Sequence, residues 1–381
     1  MEYRNRRIRI ACLALSGGTT ESEMTLGLCM IVKNESDVLA RVLESAQAFA
    51  DEIVVVDTGS TDGTADVALR YTDKVYSFEW RDDFAAARNF ALSKVTSDYW
   101  IWLDADDVVP PKTAKGIAKF MRGTDGSVDA VMLPYVLGID EKGKPTFSYF
   151  RERIIKNNRS MLWRGRVHEA VAVHGNVVCL PYIVLHEKPQ GRSSGTRNLD
   201  IYRKMISEGE RLEPRELYYY ARELYYNGYT EAAAERFAEF IAMPDGFAVN
   251  KADACLMLSR CHKKIGDLPA ALSAAFSGFV FGLPSGEACC EIASLFFTLK
   301  DYRASAYWYE RAARSKPDIS SGAFVDGACY GFIPFVWLSV CYDRLGDMKK
   351  AYRYHCRARK IAPNHPSVIA NEGYFSQFGF S

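Results

Sequence analysis

The stretch Trp100-Ile101-Trp102-Leu103-Asp104-Ala105-Asp106-Asp107 joins an apolar run to a cluster of carboxylates. The run has strand character, and the acids begin where that strand is expected to end. In an open α/β sheet, ligands bind just outside the carboxyl ends of the strands. Clustered carboxylates repel each other unless a cation neutralises them, and Mg²⁺ binds one or two carboxylates together with phosphate oxygens. The stretch therefore predicts metal-assisted binding of a nucleotide diphosphate. The alternative is an acidic turn or a helix N-cap before Pro110-Pro111.

Strand-like and helix-like segments alternate on both sides of this stretch. The predicted strands are 25–32, 52–56, 74–78, 99–103 and 130–135, and the predicted helices are 35–49, 64–71 and 84–94. This alternation predicts a mostly parallel sheet with right-handed crossovers. The segments 147–155 and 161–173 are β-rich, and a further strand is predicted at 177–185. A linker rich in Gly, Pro and Ser is expected at 187–197.

The chain after residue 197 shows no further strand pattern, and four helical pairs recur instead. Their turns centre on Gly228, Gly266, Lys300 and Gly346, at spacings of 38, 34 and 46 residues. This arrangement resembles the tetratricopeptide repeat, whose period is about 34 residues. Such arrays stack into a superhelix with a concave surface, which favours peptide or protein binding. The alternative is a helical cap that stabilises the first domain or a homodimer.

Composition narrows the classes of function. At 381 residues, two domains are expected. The net charge of +1 gives no indication of a nucleic acid or an anionic membrane as partner. No segment is long and apolar enough to span a membrane. The ten cysteines include the adjacent Cys289 and Cys290 and no CxxC pair, so we interpret them as buried thiols in a reducing, cytoplasmic compartment.

The N-terminus imitates a weak signal peptide, because three arginines precede the apolar run 8–15. That run is too short to span a bilayer. Met24 stands directly before the first convincing strand. We therefore expect residues 1–23 to be a disordered extension, which an upstream start codon would explain.

Four motifs occur in order along the first half of the chain. They are Cys29-Met-Ile-Val-Lys-Asn-Glu35, Val56-Asp57-Thr-Gly-Ser-Thr-Asp-Gly-Thr64, Ala87-Arg88-Asn89 and Asp104-Ala-Asp106. Together they resemble the family 2 glycosyltransferases of the A-type fold, over roughly residues 24–195. With the repeats, the chain is similar to the bacterial branch containing the sublancin-type peptide S-glycosyltransferases. Lipopolysaccharide-core glucosyltransferases share several of the motifs. The resemblance implies an α/β nucleotide-sugar-binding domain at 24–195 and an all-α tetratricopeptide-like domain at 196–381.

The resemblance assigns a nucleotide site to the ends of the first strands. Asp57 would accept a hydrogen bond from the uracil N3–H, and Asp104 would contact the ribose or the metal. Asn34 and Glu35 follow the first predicted strand, where Asn34 could meet the base or cap the next helix.

Arg88 is a further candidate for the nucleotide site. Its guanidinium could bind the nucleotide or the diphosphate. The alternative is a salt bridge to Asp82 or Asp83 at the start of the same helix.

A metal site and a base complete the candidates. The resemblance implies that Asp106 binds Mn²⁺ or Mg²⁺ with Asp104, and that His186 completes the metal or diphosphate site. Imidazole suits Mn²⁺ better than Mg²⁺. Asp107 is expected only to cap the next turn.

The motif Val167-His168-Glu169 resembles one found in the same branch. Direct displacement at the anomeric carbon needs one base to take the acceptor's proton, and Glu169 is the leading candidate. His168 would orient Glu169 or contact phosphate.

These observations predict a cytoplasmic bacterial, metal-dependent, inverting glycosyltransferase that uses a nucleotide-sugar donor, with a UDP-hexose favoured. The preferred acceptor is a peptide or protein side chain. Two alternatives stay open: an enzyme that glycosylates a cell-envelope glycan, and an inactive scaffold whose repeats bind a protein partner. The intact clustered acids argue against the scaffold.

Overall fold

The computed structural model describes residues 23–139, 145–187, 195–318 and 322–380. Residues 1–22 of the predicted N-terminal extension lie outside the described residues, as do 188–194 of the predicted linker. The chain divides into two compact units, Met1–Glu210 and Arg211–Ser381.

The first unit alternates strands and helices before it becomes β-rich. Its strands are β1 (Leu26–Val32), β2 (Glu52–Asp57), β3 (Val75–Ser77), β4 (Tyr99–Trp102), β5 (Asp107–Val108), β6 (Ala130–Ile139), β7 (Pro145–Lys156), β8 (Trp163–Arg164), β9 (Ala170–Val171), β10 (Val177–Cys179) and β11 (Val184–His186). Its helices are α1 (Leu39–Ala46), α2 (Thr64–Ala68), α3 (Phe84–Leu92), α4 (Pro111–Gly123) and α5 (Arg197–Ser207).

The main sheet of this unit has the strand order β3-β2-β1-β4-β7-β6-β11-β5, with β10 beside β6. Strands β7 and β5 run antiparallel to the others, so the prediction of a mostly parallel sheet is confirmed. Strands β8 and β9 pair with each other in a separate antiparallel ribbon. The carboxyl ends of β1, β2, β4 and β11 therefore point to the same edge.

Apolar side chains cover both faces of the sheet. One core contains Leu28 and Ile101 and packs against α1 and α4. The other contains Val54, Trp100 and Trp102 and packs against α3. Because successive strand residues face opposite sides, the near-continuous apolar runs of β1, β2 and β4 supply both cores.

Several boundaries differ from the sequence-based expectation. Helix α1 begins at Leu39 rather than at residue 35. The strand predicted at 177–185 is divided into β10 and β11, which pair with different stretches of β6. Helix α4 and strand β5 were not predicted, although Pro111 at the first turn of α4 is a favoured helix start.

A buried carboxylate anchors the amino end of β2. Glu52 accepts hydrogen bonds from the backbone N–H groups of Thr96 and Ser97. It also forms an ion pair with Lys74, with 2.6 Å between Oε1 and Nζ. Burial by itself would raise the pKa of Glu52, but these donors lower it to about 2.

The second unit consists almost entirely of helices. They are α6 (Pro214–Tyr226), α7 (Thr230–Ala242), α8 (Ala248–Ile265), α9 (Leu268–Ser277), α10 (Gly286–Thr298), α11 (Tyr302–Arg314), α12 (Phe332–Arg344), α13 (Met348–Ile361) and α14 (Pro366–Ser376), with 3₁₀ turns at Gly278–Val280 and Gly327–Tyr330 and a short strand, β12, at Val325–Asp326. The four predicted helical pairs are α6/α7, α8/α9, α10/α11 and α12/α13. The 46-residue spacing before the last pair includes residues 319–321, which lie outside the described residues.

The four turns between paired helices share one backbone conformation. Gly228, Gly266, Lys300 and Gly346 all have positive φ, and Lys300 adopts φ 64° although it is not glycine. In each turn, the following residue's N–H bonds a carbonyl five residues back, as Asp301 does with Phe296 at 2.9 Å. This is a helix C-cap motif that favours glycine. The shared geometry explains why the repeat could be predicted from turn residues, including the one without glycine.

The described cysteines are free thiols, and all but the half-buried Cys356 are buried. No helix in the described parts of the chain is long and apolar enough to cross a membrane.

Candidate active site

Polar side chains follow the carboxyl ends of the parallel strands at one edge of the sheet. Val32 of β1 lies opposite Asp57 of β2, and Cys29 lies opposite Trp102 of β4. Asp104 comes two residues after Trp102, and His186 ends β11. The topology thus gathers the predicted site residues at the edge where α/β sheets bind ligands.

The loop after β2 is held in a fixed conformation by Asp57 and Asn34. Asp57 Oδ1 accepts from the N–H groups of Gly59 and Ser60, at 3.0 and 2.8 Å. Asn34, in the left-handed region with φ 55°, accepts from the Thr61 N–H at 2.8 Å. Asn34 lies too far before α1 to cap it, so the N-cap alternative is wrong.

Glu35 joins the same arrangement through its backbone. Its N–H donates to the Thr64 hydroxyl at 2.7 Å, and its carbonyl accepts from the Leu39 N–H. The residues after β1 and the loop after β2 therefore form one hydrogen-bonded wall at the site edge.

Arg88 connects the nucleotide candidates to the candidate base. Its Nη2 donates to Asp104 Oδ1 at 2.8 Å, and its Nε donates to Glu169 Oε1 at 2.6 Å. The alternative salt bridge to Asp82 or Asp83 is wrong. Asp82 instead pairs with Lys204, and Asp83 caps α3 through the Ala86 N–H.

Aromatic rings hold the Arg88 side chain in place. Its guanidinium carbon lies 5.1 Å from the ring centroid of Trp102 and 4.8 Å from that of Trp163. The Asn89 side chain exchanges hydrogen bonds with the backbone of Trp163 and so ties α3 to β8. Cation–π contacts with two tryptophans and two ion pairs fix a cation that is only 8% exposed.

The electrostatic interactions among Arg88, Asp104 and Glu169 favour the charged forms of Asp104 and Arg88. Burial would raise the pKa of Asp104, but the charges of Arg88 and Arg153 and the bond from Arg88 lower it to about 2. Burial would likewise lower the pKa of Arg88, but Asp104 and Glu169 raise it well above its ordinary value.

A second group of side chains could hold a metal ion. One donor atom from each of Asp106, Asp107 and His186 lies within 4.8 Å of the other two. His186 Nδ1 is 3.3 Å from Asp106 Oδ1 and 3.8 Å from Asp107 Oδ1, and the interactions with these two carboxylates raise the pKa of His186 to about 10. The two acids therefore attract positive charge to this point. Asp104, predicted as a further ligand, points instead to Arg88.

Asp107 is more deeply placed than its neighbours. It has no solvent exposure and accepts from the Tyr135 hydroxyl at 2.9 Å, from Arg153 at 3.1 Å and from the Asp104 N–H at 3.0 Å. It closes the turn that begins at Asp104, whereas it was expected to cap the following one. The acids do not cap α4, whose N-cap is Pro110, so the helix N-cap alternative for the cluster is wrong.

Tyr135 and Arg153 are site residues that the sequence analysis missed. The Tyr135 hydroxyl also lies 2.8 Å from His186 Nδ1, so Tyr135 connects Asp107 to His186. The guanidinium of Arg153 lies between the rings of Trp102 and Tyr135, at 3.8 and 4.4 Å. The available signal was the charged run 151–153 inside an otherwise apolar strand, because a charge there must be paired.

The β8–β9 ribbon carries the remaining candidates. Glu169 immediately precedes β9, and its side chain is 11% exposed. His168 has a positive φ of 51°, and its ring stacks on Tyr202 of α5 with centroids 6.4 Å apart. The structure therefore brings Glu169 together with Arg88 and Asp104, and places His168 beside α5.

A comparison of this chain with known protein families agrees with the arrangement of acids and a buried arginine at the carboxyl ends of β2 and β4. Residues 28–174 match the model of glycosyl transferase family 2. The first unit therefore carries a family 2 glycosyltransferase domain.

Three curated proteins are each similar to part of this chain. The SPbeta prophage-derived glycosyltransferase SunS of Bacillus subtilis is 30% identical over 59% of this chain and 55% of its own length. The lipopolysaccharide core biosynthesis glycosyltransferase LpsC of Rhizobium meliloti is 28% identical over 41% of this chain and 60% of its own. A TPR repeat-containing protein of Synechococcus elongatus is 44% identical over 22% of this chain and 20% of its own. The chain thus spans less than two thirds of each relative, and the helical pairs after the glycosyltransferase domain are tetratricopeptide-like.

Proposed function

We propose that this protein is a metal-dependent, inverting glycosyltransferase that moves a hexose from a nucleotide sugar, preferably UDP-linked, to a peptide or protein side chain. The observation that carries the proposal is the bridge from Asp104 through Arg88 to Glu169. It joins a residue assigned to the donor with the candidate base at a strand edge where ligands bind.

The donor's nucleotide would lie on the wall formed after β1 and β2. Asp57 uses Oδ1 for its own loop, so Oδ2 is the atom that would accept from the uracil N3–H. Asn34 and Glu35 fix the loop beside it, and Asp104 would meet the ribose. Arg88, buried and permanently charged, would counter the charge of the diphosphate.

Asp106 and His186 fit a divalent cation. A carboxylate oxygen and an imidazole nitrogen suit Mn²⁺, and a site of this kind leaves room for phosphate oxygens. Asp107 is already occupied by three donors and would support rather than ligate. Bound there, the cation would stabilise charge on the departing nucleoside diphosphate.

Tyr135 would set the tautomer of His186. Its hydroxyl donates to Asp107 Oδ1 and can accept from His186 Nδ1–H. The same nitrogen lies 3.3 Å from Asp106 Oδ1, so the hydroxyl holds the imidazole beside the carboxylate that would share the ion. Such partners of a ligating histidine commonly govern metal affinity.

Glu169 would act as the base. Its Oε1 accepts from Arg88, and within the described residues its Oε2 makes no hydrogen bond, so Oε2 would take the acceptor's proton. The acceptor then bonds to the anomeric carbon as the bond from that carbon to the phosphate oxygen breaks. A single displacement from the opposite face inverts the configuration at that carbon.

The acceptor class is inferred from the second unit and the relatives. Tetratricopeptide-like repeats commonly bind peptides. The similarity to SunS extends over 59% of this chain, and the resemblance of the motifs to the sublancin-type peptide S-glycosyltransferases favours a peptide acceptor. The buried free thiols favour a reducing, cytoplasmic location. The similarity to LpsC supports one alternative, in which the acceptor is a cell-envelope glycan and the helical unit serves a homodimer.

A transfer assay tests the proposal. We would incubate the full chain with UDP-glucose, Mn²⁺ and a peptide bearing a thiol and a hydroxyl, and measure the peptide's mass. We expect a gain of one hexose with the wild type and none with Glu169→Gln, which should still bind the donor. Transfer only to a lipid-linked glycan would contradict the peptide acceptor, and full activity in Glu169→Gln would contradict the base.

A further inference from the structure

Helix α13 of the second unit is unusually basic. It carries six cationic side chains and no aspartate or glutamate. Two of the six are neutralised by neighbouring helices: Lys350 lies 3.2 Å from Glu310, and Arg359 lies 2.6 Å from Glu372. The other four have no carboxylate partner among the residues that the structure describes. They are Lys349, Arg353, Arg357 and Lys360, and we call them the basic face.

The basic face is a single exposed stripe. Its members are separated by four, four and three residues, a spacing that places side chains on one side of a helix. All four are exposed. At about 1.5 Å per residue, the stripe is roughly 16 Å long, which matches about five residues of extended chain.

A cavity of about 300 Å³ adjoins the stripe. Its lining residues are Glu310, Ala313, Arg314, Phe335, Tyr354 and Arg357. The rings of Phe335 and Tyr354 stack with centroids 6.1 Å apart, and the Arg357 guanidinium lies 5.3 Å from the Tyr354 ring. Arg357 thus belongs to both the basic face and the cavity. The volume is at the low end for ligand pockets and suits one large apolar side chain.

The carboxylate in the cavity does not cancel the charge of Arg357. Glu310 already accepts from the hydroxyls of Tyr342 and Tyr354, at 2.8 and 3.0 Å, and pairs with Lys350 and Arg314, at 3.2 and 3.3 Å. With four donors, Glu310 is fully engaged by its own neighbours. The surface presented to a partner is therefore positive, with an aromatic recess beside it.

We propose that this surface binds an acidic polypeptide segment whose carboxylates follow the basic face and whose single large apolar side chain enters the cavity. The positive charge requires a negative partner, and the recess selects an apolar group that a flat anionic surface could not insert. The proposal does not depend on sugar transfer. It gives the helical unit a binding site on α11, α12 and α13 for a partner of defined chemistry.

Fluorescence anisotropy of the full chain tests this directly. The probe is a labelled peptide of glutamates around one central phenylalanine. The comparison peptides carry alanine for that phenylalanine, or lysines for the glutamates. We expect binding of the probe that weakens as salt rises, weaker binding of the alanine peptide, and none of the lysine peptide.

Matched variants separate charge from recess. Arg353→Glu with Arg357→Glu should weaken binding at least about tenfold, as is typical for reversing charges that face a partner. Arg211→Glu with Arg303→Glu reverses the same number of exposed charges elsewhere in the unit and should change binding little. Ala313→Trp should fill the cavity and reduce the probe's affinity to that of the alanine peptide. Circular dichroism confirms that each variant is folded.

Three outcomes would overturn the proposal. The first is equal binding of the phenylalanine and alanine peptides, which would remove the role of the cavity. The second is equal weakening by both charge-reversal pairs, which would make the effect non-specific. The third is failure to bind the acidic peptide while anionic lipid vesicles or single-stranded oligonucleotides bind through the basic face, which would make the partner class wrong.

Discussion

Replacing Arg88 with methionine should destabilise the first unit strongly. Arg88 is 8% exposed and holds two carboxylates, Asp104 at 2.8 Å and Glu169 at 2.6 Å. Methionine retains much of the packing between Trp102 and Trp163 but removes the charge. Two clustered carboxylates would then remain in a largely buried site without a cation.

The magnitude follows from this burial. Removing one partner of a buried ion pair costs about 3–5 kcal/mol, and the lower end applies because a third of the Asp104 side chain is exposed. Lost cation–π contacts add about 1 kcal/mol. A loss of about 4 kcal/mol corresponds to a decrease in Tm of roughly 10 °C for a unit of this size.

Calorimetry of the full chain measures the effect, and Lys204→Met provides the control. Lys204 also forms a short ion pair, with Asp82, but both partners are well exposed, so its removal should change Tm far less. In the Arg88→Met background, adding Glu169→Gln should recover part of the loss, because it removes one of the stranded charges. Equal shifts for Arg88→Met and Lys204→Met, or a further loss in the double variant, would refute the reasoning.

Three other perturbations give defined outcomes. Tyr135→Phe removes the hydroxyl beside His186, so calorimetric titration should show Mn²⁺ affinity reduced about tenfold. The control Tyr71→Phe, which removes an exposed hydroxyl, should leave that affinity unchanged. Equal Mn²⁺ affinities in the wild type and both variants would exclude the positioning role of Tyr135. Lys300→Gly should raise the free energy of unfolding by about 0.5–1 kcal/mol in urea titrations, since glycine adopts positive φ without strain. A loss of stability would contradict the assignment of residue 300 to a positive-φ helix C-cap turn. Glu52→Gln should lower the free energy of unfolding by about 2 kcal/mol at pH 7. Because the folded pKa of Glu52 is about 2, below the ordinary value of 4.5, the difference in this free energy between variant and wild type should shrink as pH falls from 4.5 toward 2. A difference that persisted at low pH would exclude the ionised carboxylate as its source.

Most of the architecture could be predicted from local sequence patterns. The apolar runs of β1, β2 and β4 predict buried parallel strands. The turn at Gly266 recurs, with the same positive φ, at the three other turns between paired helices, and this recurrence predicts the repeat. The strand predicted at 177–185 was incorrect because β10 and β11 are too short for periodicity to separate them. Strand β5 has only two residues and exists through pairing with β11, which no local pattern encodes.

The site was predictable only where residue type limits its role. Acids at strand ends identified Asp57, Asp104 and Asp106 as candidates. The partner of Arg88 was not predictable, because Glu169 lies 81 residues away and meets it only through the β8–β9 ribbon. Tyr135 was missed for a similar reason: it reads as an ordinary apolar strand residue until the fold brings its hydroxyl to Asp107.

Donor binding with and without metal tests the central proposal most directly. Isothermal titration with UDP-glucose, UDP-GlcNAc, UDP-galactose and GDP-mannose would be carried out on the wild type and on Asp106→Ala, each with and without Mn²⁺. We expect one UDP-sugar to bind the wild type in the presence of Mn²⁺, with binding lost in the absence of the ion and in folded Asp106→Ala. Failure of the folded wild type to bind any donor, or donor binding unchanged by both the ion and Asp106→Ala, would contradict a metal-dependent nucleotide-sugar site.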